Sequence, residues 1–221
     1  MRDYAIRTYG PGDEKQWVRC RTLAFLDSAY FDNVLVAKER YEHPAIELVA
    51  VVDDTVIGLM DVELEDVAGG IDASNDRGVS AQNSAGTVAR EIERCRRMGT
   101  IWHVAVHPDW RRQGIATALL DEAKSRAVAL GVTHLEAWTR DDQFVRDWYL
   151  AKGFAPMESY LHVWADGRDE LKGTIKSEIP GLMPCLTFAH YVGDDREAIK
   201  KRFARVHECV RYEMRILGDG A

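Results

Sequence analysis

The chain has 221 residues, a formal net charge of −7 at pH 7, and 46% hydrophobic and 29% charged residues. This length allows one sizeable core, and the proportions are those of a soluble globular protein, so we predict a single domain over residues 1–221. The acidic balance argues against non-specific binding to nucleic acid or to an anionic membrane, because both favour a basic surface. The negative net charge is more compatible with a cationic substrate than with these anionic partners.

The sequence predicts neither a membrane span nor a metal centre. No apolar stretch approaches the roughly 20 residues that cross a bilayer, and the starting MRDYAIRTYG lacks the apolar core of a signal peptide, so we expect a cytoplasmic protein. The four cysteines form no CxxC pair, which favours free thiols. His103 and His107 are four apart in a predicted strand, which is not the metal-binding geometry of a helix. Whether the protein is a homodimer stays open.

The first elements in chain order are a strand and a helix. Residues 4–9 alternate as a strand does, and the Gly-Pro-Gly-Asp sequence at residues 10–13 supplies a turn and a helix N-cap. Apolar residues then recur at helical spacing from Trp17 to Tyr30, and the predicted helix ends before Pro44.

Two strands are predicted next, at residues 46–52 and 56–65, joined by a turn at Asp53-Asp54. Side chains alternate along a strand, so the second strand has one apolar and one acidic face. The apolar face comprises Val56, Met60, Val62 and Leu64, and the acidic face comprises Asp61, Glu63 and Glu65. The acidic face is either a solvated outer surface or the wall of a site that attracts an amine.

Residues 66–99 interrupt the pattern with Gly69, Gly70, Gly78 and Gly86 among polar residues and then a charged, helix-like run, AREIERCRRM. So long a connection is unusual inside a compact domain, and we predict a mobile insertion that acts as a loop or lid. A strand at residues 100–107, a helix at 113–130 ended by Gly131, and a strand at 133–139 follow.

A helix capped by Asp141-Asp142 and closed by Gly153 is predicted next, and a strand then runs from Phe154 to Trp164. Residues 165–205 read as a second insertion. It contains a short strand at residues 186–192 and a helix opened by Asp194 with Glu197 three residues later, and it precedes a closing strand at residues 212–217. The alternation of strands and helices predicts an α/β (α+β) fold.

The segment HVAVHPDWRRQGIAT at residues 103–117 is the most informative part of the chain. A β-branched strand leads into a basic turn that opens an amphipathic helix. A helix start offers N–H groups without an intrahelical partner and a partial positive charge, so an anion binds there readily. Arg111 and Arg112 add full charges. Gly114 and the small Ala116 let ligand oxygens approach the backbone, so the segment predicts a pyrophosphate cradle.

A second motif, WYLAKGF, occupies residues 148–154 and places Tyr149 before a Gly-Phe pair. Each motif is weak alone, but their order and separation make the combination specific. The Arg111-x-x-Gly114-x-Ala116 loop and this Tyr-x-x-x-Gly-Phe segment resemble two hallmarks of the GNAT superfamily of N-acyltransferases. The resemblance covers roughly residues 3–164 and the final strand.

This resemblance implies the GNAT fold, a mixed and twisted central sheet with helices on both faces. It implies an enzyme that moves an acetyl group directly from acetyl-CoA to a primary amine in a ternary complex, without a metal. The alternative is a catalytically silent acyl-CoA-binding sensor or scaffold. A kinase or dehydrogenase is disfavoured, because no Gly-Lys-Ser/Thr follows the turn and one glycine stands where a dinucleotide fingerprint has three.

The resemblance also assigns cofactor contacts. The strand segment at residues 104–106 is expected to pair with the pantetheine arm and to present a backbone N–H near the thioester carbonyl. Asp142 stands where the family often has an asparagine, which leaves its contact to the cofactor open. The predicted cofactor-binding residues are Val104, Ala105, Val106, Arg111, Arg112, Gln113, Gly114, Ile115, Ala116, Thr117 and Asp142.

Catalysis would need a base and an acid. Deprotonating a lysine-like amine of pKa about 10.4 at pH 7 costs roughly 4.6 kcal/mol, so a base is useful. The candidate bases are Glu63, His103 and Glu136. Each also has a structural alternative: Glu63 as a solvated carboxylate, His103 as a hydrogen-bonded core histidine, and Glu136 as a carboxylate paired with an arginine. The resemblance places Tyr149 near the sulfur of CoA, where its phenol can protonate the leaving thiolate.

Overall fold

The computed structural model describes residues 3–66 and 97–216. The chain forms two compact units: an N-terminal unit of residues 1–137 and 213–221, and a C-terminal unit of residues 138–212. Most of the predicted insertion at 66–99, and Leu217 of the predicted closing strand, lie outside the described residues. The single-domain assignment with two insertions stays a prediction.

The N-terminal unit contains strands, helices and two short 3-10 turns. They are β1 (Ala5–Thr8), a 3-10 turn (Pro11–Asp13), α1 (Glu14–Phe25), β2 (Ala45–Val52), β3 (Thr55–Asp66), β4 (Arg97–Val106), a 3-10 turn (Pro108–Trp110), α2 (Ile115–Ala129) and the first part of β5 (His134–Thr139). No helix within the described ranges is long and apolar enough to cross a lipid bilayer.

The sheet of this unit is mixed, with strand order β1-β2-β3-β4-β5. The first four strands are antiparallel, and β5 pairs with β4 in parallel. The turn between β2 and β3 places Asp53 and Asp54 at φ 46° and 61°, a left-handed conformation that aspartate tolerates and a tight hairpin requires. The predicted hairpin and the mixed sheet are both confirmed.

The two long helices pack on opposite faces of this sheet. Trp17 and Cys20 of α1 lie in a buried cluster with Leu59 of β3. On α2, Ile115 approaches so closely that a Cβ at Gly58 would lie 2.7 Å from its Cγ2. Gly58 and Leu59 are neighbours in one strand and therefore face opposite sides. The prediction of helices on both faces is confirmed in this unit.

Two elements of this unit differ from their predicted extents. The first helix ends before Pro44 as predicted, but it stops at Phe25, although the helical spacing of apolar residues continues to Tyr30. The Ser28 hydroxyl donates to the carbonyl of Phe25 at 2.8 Å. Such a local side-chain bond replaces the next helical bond. The strand predicted to begin at Thr100 begins at Arg97, so the end of the helix-like run is extended.

A bulge also changes one predicted face of β3. Ala50 pairs with Gly58 and Val51 pairs with Val56, which leaves Ile57 as an extra residue. One extra residue reverses the side-chain alternation. Val56 therefore packs against α1, on the opposite face from Met60, Val62 and Leu64.

The C-terminal unit contains the last residues of β5 and most of the final strand, β8 (Arg205–Arg215). Its elements are α3 (Gln143–Ala151), β6 (Ala155–Asp166), α4 (Gly167–Leu171), β7 (Leu186–Tyr191), α5 (Arg196–Arg202) and β8 (Arg205–Arg215). The strand order is β8-β6-β7, and β6 pairs with β7 antiparallel. The predicted short strand at 186–192 and the helix closed by Gly153, at φ 90°, are confirmed.

Two predictions in the C-terminal unit are corrected. The closing strand begins at Arg205 rather than at Tyr212, because its polar side chains find partners: the Arg205 guanidinium lies 3.9 Å from the ring centre of Trp164. The last helix is capped by Asp195 rather than Asp194. The Asp195 carboxylate accepts the N–H of Ala198 at 3.1 Å.

Candidate active site

The turn before α2 exposes the start of that helix. Arg112 and Gly114 have φ of 64° and 81°, and Ile115 opens the helix. The N–H of Ala118 bonds back to the carbonyl of Gly114 at 3.0 Å, so the first-turn N–H groups before it lack intrahelical partners. Among residues 3–66 and 97–216, no side chain caps this terminus and a Cβ at Gly114 would meet nothing within 4 Å. Within these residues, the helix start is therefore uncapped on its outer side.

The two arginines of this turn have different surroundings. Arg111 donates to the Asp27 carboxylate at 3.1 Å and to the carbonyl of Ala24 at 2.8 Å. It therefore ties the turn to the end of α1. Arg112 is exposed beside the helix start. The exposed charge of the turn is that of Arg112, while Arg111 positions the backbone.

The segment of β4 formed by Val104, Ala105 and Val106 continues past its ladder with β5. On one edge these residues pair with Met60, Leu59 and Gly58 of β3. On the other edge the described β4–β5 ladder runs from the Met98–His134 pair to the Ile101–Ala137 pair. Residues 104–106 lie beyond the pairs of that ladder, in the segment where the sequence predicts pantetheine binding.

The acidic face of β3 is not a solvated surface. Asp61 is 0% and Glu63 6% exposed, whereas Glu65 is exposed. Residues 26–44, which we call the strap, contact this face through several polar side chains and backbone groups. Burying carboxylates requires compensating partners, and the strap supplies them.

Asp61 is compensated mainly by a buried lysine of the strap. The Lys38 ammonium lies 3.0 Å from Asp61 Oδ2, which also accepts the Tyr41 hydroxyl at 2.9 Å. Lys38 also bonds to Glu47, and its ammonium lies 4.6 Å from the ring centre of Tyr41 and 5.2 Å from that of Trp17. Burial raises the pKa of Asp61, although Lys38 and Tyr41 act in the opposite direction.

His103 is the cross-strand partner of Asp61 and is held by two charged side chains. Arg21 donates from Nε to His103 Nδ1 at 3.3 Å, and His103 Nε2 lies 2.6 Å from the Glu39 carboxylate. Arginine can only donate, so Nδ1 accepts and Nε2 carries the hydrogen that binds Glu39. The geometry corresponds to a hydrogen-bonded core histidine.

Glu63 is likewise engaged at both carboxylate oxygens. Oε1 accepts the backbone N–H groups of Glu42 and His43, each at 2.9 Å, and Oε2 accepts the indole N–H of Trp102 at 2.7 Å. Burial would raise the pKa of Glu63, but the bonds from His43 and Trp102 outweigh it and the pKa lies below its ordinary value. Glu63 is an ionised anchor between the strap and β4.

Glu136 lies on the same sheet face, because it neighbours Thr100 in the β4–β5 ladder and Thr100 is opposite Glu63. It is half-buried, and Thr100 donates its hydroxyl to Glu136 Oε1 at 3.2 Å. The structure thus brings Glu63, His103 and Glu136 together on one face, near the point where the β4–β5 ladder ends.

Tyr149 and Asp142 belong to the C-terminal unit. Asp142 is the N-cap of α3, and its backbone carbonyl accepts the N–H groups of Val145 and Arg146 at 3.0 and 3.1 Å. Tyr149 is 3% exposed and stacks on Tyr212 with ring centres 5.5 Å apart. The order of α3 and its closing turn is as predicted, and the catalytic and cofactor roles of both residues stay predictions.

Sequence reasoning missed three residues that shape the acidic face. Lys38, Glu39 and Tyr41 stand in a segment predicted as helix or loop and carry no motif. Their contacts with β3 and β4 span twenty residues of sequence for Tyr41–Asp61 and more than sixty for Glu39–His103. The Lys38 ammonium lies over the rings of Tyr9, Trp17 and Tyr41, which are dispersed in the sequence, so only the tertiary structure identifies this network.

Solved structures of similar fold include several acetyltransferases. The ribosomal-protein-S18-alanine N-acetyltransferase of Escherichia coli is 12% identical with a TM-score of 0.56, covering 99% of this chain and 97% of that chain. NAA60 of Arabidopsis thaliana in complex with acetyl-CoA is 13% identical with a TM-score of 0.53, covering 96% and 99%. Salmonella typhimurium yncA with its cofactor acetyl-CoA is 14% identical with a TM-score of 0.52, covering 100% and 98%. At these identities the likeness shows the fold.

No curated protein matches the chain in sequence. The family model described as "Acetyltransferase (GNAT) family" matches residues 13–154, which is more than half of the chain. The matched range contains the start of α2, residues 104–106 of β4 and the Tyr149 segment. The chain therefore belongs to the acetyltransferase (GNAT) family.

Proposed function

We propose that the protein is an N-acetyltransferase that transfers the acetyl group of acetyl-CoA directly to a primary amine of a cationic acceptor. The bare start of α2 carries this proposal. Its first-turn N–H groups and the exposed Arg112 fit a pyrophosphate, and Gly114 leaves room for the phosphate oxygens at the backbone. Arg111 fixes the turn through Asp27 and Ala24.

The edge of β4 supports the same assignment for the pantetheine arm. Val104, Ala105 and Val106 lie beyond the ladder with β5, so their outward backbone groups suit an amide-bearing chain that adds as a further strand. A backbone N–H of this segment would stabilise the oxyanion that forms when the amine attacks the thioester. No special side chain is needed for that task.

Glu136 is the base that we propose for the reaction. It lies on the same sheet face as Glu63 and His103, and Thr100 donates its hydroxyl to Glu136 Oε1 at 3.2 Å. Glu63 is fixed by the backbone of the strap and by Trp102, and His103 is fixed by Arg21 and Glu39, so we assign those two side chains a positioning role. The carboxylate would take a proton from the ammonium, and the amine would then attack the thioester carbonyl.

Tyr149 is the proposed acid. The C–S bond breaks as the new amide forms, and the phenol would give its proton to the departing thiolate. We expect Tyr149→Phe to lower kcat about tenfold at unchanged acetyl-CoA affinity. The effect is modest because a thiol of pKa about 8.5 is already a fair leaving group. Stopped-flow thiol detection with the best acceptor measures kcat.

The matched control for this variant is Tyr212→Phe, which removes a phenol from the same ring stack. It should retain the kcat of the unmodified protein. Equal rates in the two variants and the unmodified protein would remove Tyr149 as the acid.

A pair of substitutions at Gly114 tests the cradle. Both asparagine and aspartate tolerate the left-handed φ of 81°, and neither Cβ meets an atom within 4 Å. The two variants therefore differ in charge rather than in shape. We expect Gly114→Asp to bind acetyl-CoA at least tenfold more weakly than Gly114→Asn, which corresponds to about 1.4 kcal/mol. Isothermal titration gives both Kd values, and identical values would contradict a pyrophosphate at this turn.

A catalytically inactive acyl-CoA sensor would have the same pyrophosphate cradle but would not transfer the acetyl group. Binding alone therefore does not separate the two functions, and turnover does. A panel of small amines, diamines and peptides with free N-termini, each tested with acetyl-CoA and followed by thiol release, distinguishes them. Transfer to any member favours the enzyme.

A further inference from the structure

Trp102 has an unusual position for a large aromatic residue. It lies on β4, between β3 and β5, yet it is 53% exposed and is the one exposed residue of that strand. A bulge causes this exposure. Asp61 pairs with His103 and Val62 pairs with Ile101, which leaves Trp102 as the extra residue.

The indole is fixed on the acidic face of β3. Its N–H donates to Glu63 Oε2 at 2.7 Å, and Glu63 is itself held by the backbone N–H groups of Glu42 and His43. A ring anchored at its polar edge keeps its orientation while its apolar faces remain in contact with solvent. Trp102 is therefore a rigid aromatic surface rather than a loosely exposed side chain.

An exposed carboxylate adjoins this surface. Ligand atoms of His43, Glu63 and Glu65 all lie within 4.8 Å of one another. The Glu63 oxygens are occupied by hydrogen bonds, so a metal ion would have to displace those donors. Glu65 is exposed, and its negative charge lies beside the Glu63 carboxylate that anchors the indole. An aromatic face next to an exposed carboxylate is suited to an organic cation.

The inner part of the acidic face, around Asp61, is not suited to binding an organic cation. Lys38 and Tyr41 are bound to Asp61, and the Lys38 side chain is only 3% exposed. Any attraction for a cationic acceptor is therefore directed to the outer part, where Trp102 and Glu65 lie.

We propose that Trp102 and Glu65 bind a second cationic group of the acceptor, one that is not the reacting amine. This inference rests on the proposed acetyl transfer and specifies its substrate class. Trp102 is two residues before Val104, a distance of about 7 Å along a strand at roughly 3.3 Å per residue, whereas Glu65 pairs with Met98, four residues beyond Trp102. An α,ω-diamine with four or five methylene groups, or a lysine-like side chain with a free α-amine, spans the distance to the face of Trp102, and the exposed Glu65 carboxylate attracts the second cation from the far side of that ring.

The test compares 1,5-diaminopentane with pentylamine, which has the same chain length and lacks the second cation. The unmodified protein should show at least a tenfold higher kcat/KM for the diamine. In Trp102→Leu this ratio should fall at least fivefold, since the aromatic face is lost. Glu65→Gln, at an exposed position that does not endanger folding, should lower the ratio similarly, whereas Glu197→Gln on α5 removes one exposed charge and should leave it unchanged.

A binding readout separates this inference from the proposed function. Calorimetric titration of 1,5-diaminopentane into the CoA-bound protein should show binding that weakens at least fivefold in Trp102→Leu and in Glu65→Gln. Equal binding in all three proteins, or equal kcat/KM for the two amines, would overturn the inference while leaving acetyl transfer intact. Absence of acetyl transfer to every amine would contradict the proposed function, and the titration would still decide whether Trp102 and Glu65 bind a diamine.

Discussion

Replacing Glu136 by glutamine should lower kcat by about 10²–10⁴-fold, the range that a general base contributes, while the Kd for acetyl-CoA should stay unchanged. Glutamine keeps the size of the side chain and can still accept the Thr100 hydroxyl bond. It cannot take the proton of the acceptor ammonium, whose removal at pH 7 costs roughly 4.6 kcal/mol for a lysine-like amine. Initial rates with the best amine of the panel, measured by thiol release, give kcat.

Raising the pH supplies a further check on this variant. The deprotonated fraction of the amine increases tenfold per pH unit below its pKa, so Glu136→Gln should recover part of its rate between pH 7 and 9. Thr100→Val removes only the neutral bond to Glu136 and serves as the control, with a kcat within about threefold of the unmodified protein. A Glu136→Gln enzyme with full activity at pH 7 would exclude Glu136 as the base.

Replacing Lys38 by methionine should lower the free energy of unfolding by about 3–5 kcal/mol, because it leaves a buried carboxylate without its cation. Asp61 is fully buried, and the Lys38 ammonium is 3.0 Å from its Oδ2. Methionine fills much of the same volume among the aromatic rings. The loss of unfolding free energy therefore results mainly from removal of the positive charge. Urea unfolding followed by circular dichroism measures the change.

A second variant removes the unpaired charge. In Lys38→Met combined with Asp61→Asn, most of the lost stability should return, since the buried carboxylate is gone. Lys200→Met is the matched control, because Lys200 forms an exposed ion pair with Glu197 on α5 and such pairs contribute about 0–1 kcal/mol. A Lys38→Met protein as stable as the Lys200→Met control would show that Asp61 is compensated by other groups.

Short-range sequence patterns correctly predicted the turns and helix ends near the candidate active site. Gly131 and Gly153 end their helices at φ of 78° and 90°, a conformation that glycine adopts without steric cost. The Arg-Gly turn opens α2 as expected, because short-range sequence determines a turn and a helix start. Asp53 and Asp54 similarly determine the hairpin between β2 and β3.

Long-range contacts explain most of what the sequence did not predict. Asp61 and Glu63 look solvent-exposed in an alternating strand, yet partners from the strap bury them. The bulge at Trp102 depends on the pairing of β4 with β3, and the early start of β8 depends on Trp164 beneath Arg205. None of these partners is close in sequence, so periodicity alone does not show them.

In the candidate site, too, some features follow from local sequence and others depend on long-range contacts. The predicted cradle at residues 111–117 and the predicted pantetheine segment at 104–106 follow from one continuous stretch of sequence, in which Gly114 precedes the start of α2. The contacts that hold Glu63 and His103 come from Trp102, Arg21 and Glu39. The sequence could name the three candidate bases but could not show these contacts.

The central claim, acetyl transfer from acetyl-CoA to a cationic amine, is tested most directly by one measurement on the unmodified protein. Each member of the amine panel is incubated with acetyl-CoA, and free thiol and acetylated amine are quantified together by absorbance and mass spectrometry. We expect equimolar thiol and acetylated product, with the highest rates for acceptors that carry a second cation. Tight acetyl-CoA binding without release of thiol in the presence of any amine would contradict it and would favour an acyl-CoA sensor.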